Sequence, residues 1–138
     1  MAGELILIVE DNEKNRKLMR DVLQFKGYQT VETETAEAGI RVAQESNPSV
    51  ILMDLQLPGM NGLEALSRLR AEPGTRAIPV IAVTASAMTH DRERILAAGF
   101  DGYQTKPISV KEFLETVRQV LDRQPDRGGK CVNAPLPP

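Results

Sequence analysis

The chain has 138 residues, 41% of them hydrophobic and 26% charged, with a formal net charge of −2. That length supports one domain with a real core, and a charge so near zero gives no general attraction to nucleic acid or an anionic membrane. No apolar run approaches the roughly 18 residues that span a bilayer, Met1-Ala2-Gly3-Glu4 is no secretory signal, and the single Cys131 cannot form an internal disulfide; a reducing, cytoplasmic compartment is expected.

Leu5-Ile6-Leu7-Ile8-Val9 is a short apolar run that ends in acid, Glu10-Asp11. Such a run predicts a strand buried on both faces. After Asn12, apolar residues at Leu18, Met19, Val22 and Leu23 mark one face of a helix, which Gly27 stops. Tyr28 to Thr33 reads as a strand with weaker patterning, nearer a sheet edge. Thr35 caps a helix to about Glu45, with Ile40 and Ala43 inward, and Pro48 ends that connection.

Val50-Ile51-Leu52-Met53 runs straight into Asp54, and a loop follows, punctuated by Pro58, Gly59 and Gly62. Leu63, Leu66 and Leu69 mark a helix to about Arg70, and Glu72-Pro73-Gly74 is a turn. Pro79 to Val83 is the next apolar strand and ends in Thr84; Ala85-Ser86-Ala87 leads into a helix around Asp91 to Ala98, stopped by Gly99. A short strand from about Gly102 to Thr105 precedes Lys106-Pro107. Ser109-Val110-Lys111-Glu112 has the form of a capping box, and Val110, Phe113, Leu114, Val117 and Leu121 trace the face of a last helix. Four of the nine prolines and a Gly-Gly pair fall in the last 14 residues, so 125–138 is expected to be a disordered tail, with Cys131 in it.

Five alternations of strand and helix imply an α/β fold: a doubly wound, five-stranded parallel sheet with right-handed crossovers, in one domain over residues 1–124. Four strands end in a polar group: Glu10-Asp11, Asp54, Thr84 and Lys106. In the flavodoxin-like order 2-1-3-4-5, to which this succession is similar, all four meet at the carboxyl rim, where open α/β sheets bind ligands. Asp54 alone would serve equally as a helix cap; the joint occurrence of acid pair, Asp, Thr and Lys sets that reading aside. Neighbouring carboxylates repel one another, and a hard cation such as Mg²⁺ relieves the repulsion. The Thr84 hydroxyl and Lys106 ammonium suit phosphoryl oxygens.

On these residues the chain resembles the receiver domains of bacterial response regulators, over almost all of its length before the tail. The resemblance implies that Asp11 ligates Mg²⁺ directly and Glu10 through water, that Asp54 is the phosphoacceptor and a metal ligand, and that the main-chain carbonyl of Gln56 is a third protein ligand. It implies that Thr84, Lys106 and main-chain N–H groups near Gln56 and Ala85 bind the phosphoryl group. It also implies that Thr84 and Tyr103 form a switch pair, and that Lys106-Pro107 is a cis peptide. Thr84-Ala85-Ser86-Ala87-Met88 and Lys106-Pro107-Ile108-Ser109 are most similar to DivK-type single-domain regulators and to hybrid-kinase receivers. Glu10 stands where Asp is commoner in the family; Gln56 and Ser86 stand at variable positions that tune phosphate lifetime.

The expected function is a phosphorylation-controlled switch. A histidine kinase or histidine phosphotransfer protein supplies the phosphoryl group to Asp54, and the output is contact with a downstream protein or a second copy, not nucleic acid or membrane. The domain would assist only its own phosphorylation and dephosphorylation, so it is not expected to be an enzyme. The alternative within the family is the receiver segment of a hybrid kinase. A phosphatase of the aspartyl-nucleophile class usually needs a second Asp two positions on, where this chain has Gln56. A flavin or nucleotide binder needs a phosphate-cradling loop after the first strand, where Glu10-Asp11-Asn12-Glu13 would repel phosphate. His90 reads as solvated, and Met19, Met53, Met60 and Met88 as packing.

Overall fold

A computed structural model describes residues 3–57, 59–60, 62–85 and 89–123, of which 89–92 and 123 by backbone alone. The expected tail with Cys131, the start at Met1, Pro58, Ser86, Met88 and the side chain of His90 lie outside the described residues. Five strands and five helices alternate: β1 (Leu5–Val9), α1 (Glu13–Phe25), β2 (Gln29–Thr33), α2 (Ala36–Ser46), β3 (Val50–Asp54), α3 (Gly62–Ala71), β4 (Val80–Thr84), α4 (Thr89–Ala97), β5 (Gly102–Thr105) and α5 (Val110–Arg123). All pairings are parallel, in the order β2-β1-β3-β4-β5, which is the expected doubly wound sheet. Every residue of β3 and β4 is buried, whereas the edge strand β2 is at most half-buried, as its weaker patterning foretold.

Alternation along each strand sorts its side chains between two interiors. Leu7, Val9, Ile51, Met53, Val80 and Ala82 pack with α2, α3 and α4. Ile6, Ile8, Val50, Leu52, Ile81 and Val83 pack with α1 and α5, around Phe113. Met19, Met53 and Met60 are buried in these interiors, as read. Three residues assigned to inward helix faces are instead exposed: Leu18, Leu63 and Val110. Each lies at the margin of its apolar stripe, or in the first turn of its helix, where the neighbouring layer no longer reaches; Ala65 and Val120 are buried in the corresponding interiors.

Local chemistry sets the helix ends. Asn12 Oδ1 accepts from the Asn15 N–H at 3.0 Å and caps α1; Thr35 Oγ1 accepts from the Ala38 N–H at 3.1 Å and caps α2. Gly27 and Gly99 take φ of 92° and 114°, a conformation that suits glycine after a helix. At the end of the sheet opposite the carboxyl rim, Arg70 donates to the carbonyl of Ile78 at 2.6 Å and pairs with Asp101 at 2.9 Å, while Asp101 accepts the Val80 N–H at 2.9 Å.

α3 starts hard against the end of β3. A Cβ at Gly62 would stand 2.5 Å from Leu55 Cδ2 and 3.1 Å from both the Asp54 carbonyl oxygen and Leu55 Cα. The side-chain contact can give way, but the two main-chain contacts cannot without moving Asp54. Gly62→Ala is therefore expected to lose about 1–2 kcal/mol of stability in urea denaturation, the ordinary cost of overpacking. A variant as stable as the parent would show that the loop after β3 yields freely.

Candidate functional site

The parallel sheet delivers its functional groups to one edge. Asp54 and Thr84 are the last residues of β3 and β4, and Glu10 and Lys106 follow β1 and β5 by one residue. The pairs Val9↔Met53, Asp54↔Val83 and Thr84↔Thr105 keep these strand ends in step. Glu10, Asp54 and Thr84 are buried and Asp11 is exposed. Glu10, Asp11 and Asp54 each present a carboxylate oxygen within 4.8 Å of the others. Lys106 Nζ donates to Asp54 Oδ2 at 3.1 Å and to the Glu10 carboxylate at 3.3 Å.

Lys106 thus serves two buried carboxylates, with the Asp11 carboxylate beside them. Burial, reinforced by the adjacent Asp54 charge and a hydrogen bond to it, pushes the Glu10 carboxyl up to about 7. The Lys106 ammonium and the Asn12 N–H oppose that rise without cancelling it. Glu10 Oε2 accepts the Asn12 N–H at 3.2 Å, but the buried Oε1, although 3.3 Å from Lys106 Nζ, makes no hydrogen bond. An unsatisfied buried carboxylate oxygen in an acid-rich cluster fits a hard cation with oxygen ligands.

The Glu10 peptide is held from both sides. Its N–H donates to the Thr33 carbonyl at 3.1 Å, and its carbonyl accepts from Arg16 Nη1 at 3.0 Å. Sequence reasoning missed Arg16. Its only signal was its place at the end of the first turn of α1, where a long side chain reaches back over the preceding loop.

Gln56 organises the other half of the site. Its N–H donates to Asp54 Oδ1 at 2.9 Å. Its side-chain Nε2 donates to Thr84 Oγ1 at 2.9 Å, and its Oε1 accepts the Ala85 N–H at 3.2 Å. One carboxamide therefore donates to the Thr84 oxygen and takes the Ala85 N–H, two groups expected to meet a phosphoryl group. The Lys106 N–H donates to the Thr84 carbonyl at 2.8 Å, and the Lys106-Pro107 peptide is cis. Tyr103 stands apart from the acid cluster; it is half-buried and packs against the interior that holds α3 and α4.

The profile of the response regulator receiver domain matches residues 6–118. The polar-differentiation response regulator DivK of Brucella ovis is 47% identical over 116 residues, 84% of this chain and 94% of that protein. Among solved structures, the receiver domain of a sensor histidine kinase from Pseudomonas aeruginosa is similar with a TM-score of 0.80 at 34% identity, over 88% of this chain and 99% of that one. That structure holds a magnesium ion in its active-site cleft. The signal receiver domain of a histidine kinase from Syntrophus aciditrophicus gives a TM-score of 0.79 at 28% identity, over 97% of this chain and 98% of that one. Fold, rim and relatives agree: the chain belongs to the response regulator receiver domain family of two-component signalling, homologous both to DivK and to the receivers of histidine kinases.

Proposed function

We propose that Asp54 accepts a phosphoryl group from the phosphohistidine of a histidine kinase or phosphotransfer protein, and that the resulting acyl phosphate switches a protein–protein contact. The observation that carries this reading is the Asp54 carboxylate, 1% exposed at the sheet rim and bonded to Lys106 at 3.1 Å, with two further carboxylates beside it. In the transfer, an Asp54 oxygen bonds to phosphorus as the phosphorus–nitrogen bond to the donor imidazole breaks, and the imidazole keeps the electron pair. Such a loose transition state asks for positioning and charge stabilisation and little else. Lys106, already at Asp54, supplies fixed positive charge. The Ala85 N–H supplies a hydrogen bond once the Gln56 carboxamide oxygen releases it, and the Thr84 hydroxyl, whose oxygen accepts from Gln56 Nε2, donates its proton. Gln56 also has no carboxylic proton to give a leaving group, which favours a domain acting on itself over a phosphatase for small substrates.

Glu10 through water, Asp11, Asp54 and the main-chain carbonyl of Gln56 are the groups that would hold Mg²⁺; the buried Glu10 Oε1, ion-paired with Lys106 but without a hydrogen bond, supports that fit. When bound, the ion neutralises charge on the phosphoryl oxygens. Tyr103 pairs in register with Ala82, two residues before Thr84, so Thr84 and Tyr103 belong by alternation to one side of the sheet. In this reading Thr84 moves toward the phosphoryl group, Tyr103 turns inward, and the face made by α4, β5 and α5 changes shape. An open cleft of about 320 Å³ between β5 and α5, lined by Tyr103, Thr105, Glu112 and Thr116 among others, lies on that face. The partner there is a downstream protein or a second copy of the chain. No helix among the described residues is long and apolar enough to cross a membrane. We read residues 1–124 as the receiver, acting in the cytoplasm.

Mg²⁺ at millimolar concentration is expected to raise the melting temperature, since a ligand of the folded state stabilises it by mass action. Asp11→Asn should remove most of that gain, and a parent melt indifferent to Mg²⁺ would count against the site. Acetyl phosphate should add about 80 Da, one phosphoryl group, to the intact protein. Peptide mapping should place the group on Asp54, and Asp54→Asn labelled to the parent level would sink the assignment. Thr84→Ala should still be labelled but uncoupled. With beryllofluoride, amide shifts should spread over residues 89–121 in the parent and stay near Asp54 in the variant; equal spread in both would remove Thr84 from the switch.

A further inference from the structure

The acid loop after β1 is braced by a side chain with no place in the transfer itself. Arg16 ends the first turn of α1 and is 15% exposed. Its Nη1 donates to the Glu10 carbonyl at 3.0 Å, its Nε lies 3.3 Å from Glu32 Oε1, and its Nη2 lies 3.7 Å from Glu34 Oε2. Arg20, one turn on, takes the other Glu32 oxygen at 3.2 Å. The Glu10 N–H is already committed to Thr33 of β2. Both main-chain groups of Glu10 are therefore tied, directly or through Arg16, to the edge strand and the residue that follows it.

We infer that Arg16 is a positioning residue for the cation site, its guanidinium fixing the Glu10 peptide, and with it the Glu10 and Asp11 carboxylates, against β2. This rests on the cation reading given above. The planar guanidinium serves a carbonyl on one edge and carboxylates on the other; an ammonium is a point donor and cannot span them. Glu32 and Glu34 largely offset the Arg16 charge, so the arrangement braces the loop without placing a bare competing cation behind it. Groups that orient ligands from behind are commonly worth about ten- to a hundredfold in metal affinity.

Charge and position give opposite signs here, which makes the inference testable. Removing a cation near an acid cluster strengthens Mg²⁺ binding by electrostatics alone; removing a brace weakens it. The experiment titrates Mg²⁺ into the full chain by calorimetry, with metal-free melting curves alongside. Arg16→Met is expected to bind about tenfold more weakly than the parent, with Arg16→Lys in between. Lys17→Met removes the same charge from the same helix, where Lys17 pairs with exposed Asp21 at 2.6 Å, and should bind as the parent does or more tightly. Arg16→Met at or above parent affinity, or Lys17→Met weakened as much as Arg16→Met, overturns the inference. If the metal-free melts show Arg16→Met unfolded, Arg16→Lys carries the test at unchanged charge: several-fold weaker binding supports the brace, and parent affinity overturns it. A parent that binds no Mg²⁺ overturns the cation reading and this inference with it; a parent that binds, with Arg16 variants that bind equally, overturns the inference alone.

Discussion

Lys106 brings one ammonium to two buried carboxylates, Glu10 and Asp54, at the end of strands whose other residues are mostly apolar. Taking such groups out of water costs several kcal/mol per ion, and mutual attraction recovers that only with good geometry and full hydrogen bonding. Neither condition is met: Glu10 Oε1, though near Lys106, makes no hydrogen bond, and a third carboxylate, Asp11, adds repulsion. The two apolar interiors must therefore hold the rim in an arrangement it would not adopt alone. A fold that tolerates such a rim has a site ready for a ligand that supplies the missing positive charge and a second one that brings oxygens for Lys106.

The resting arrangement of Gln56 fits that picture. The carboxamide donates to the Thr84 oxygen and accepts the Ala85 N–H, so that N–H does not depend on an incoming group for satisfaction. On the proposed function, phosphorylation would exchange one set of hydrogen bonds for another, and a ligand shifts such an equilibrium only by its differential affinity for the two states.

Most of the fold was legible because its strands are short, apolar and bounded by polar or turn residues, and because alternation with helices leaves few topologies. The strand order was not derivable from periodicity; it came with the resemblance. Glu10, Asp11, Asp54, Thr84 and Lys106 were legible because each stands at or just past the end of a strand, a position that a parallel sheet converts into proximity. Leu18, Leu63 and Val110 misled because an apolar residue at the edge of a helical stripe has the same spacing as a buried one, and only the neighbouring layer decides. Arg16 and the Gln56 carboxamide bridge were illegible for another reason. Both depend on where a long polar side chain folds back in space, and spacing along the chain does not encode that.

The sheet is one residue thick, and chain neighbours such as Ile8 and Val9 look into different interiors. A change of volume at Ile8 is felt by α1 and α5, one at Val9 by α2 and the helices beside it. Side chains in different interiors and well apart along the sheet behave additively, so each interior can drift in composition largely without an answer from the other. The rim is the exception. Asp54 follows the alternation of the α1–α5 side and Thr84 that of the α3–α4 side, so a single group bonded to both would be one of the few events that either interior can report to the other.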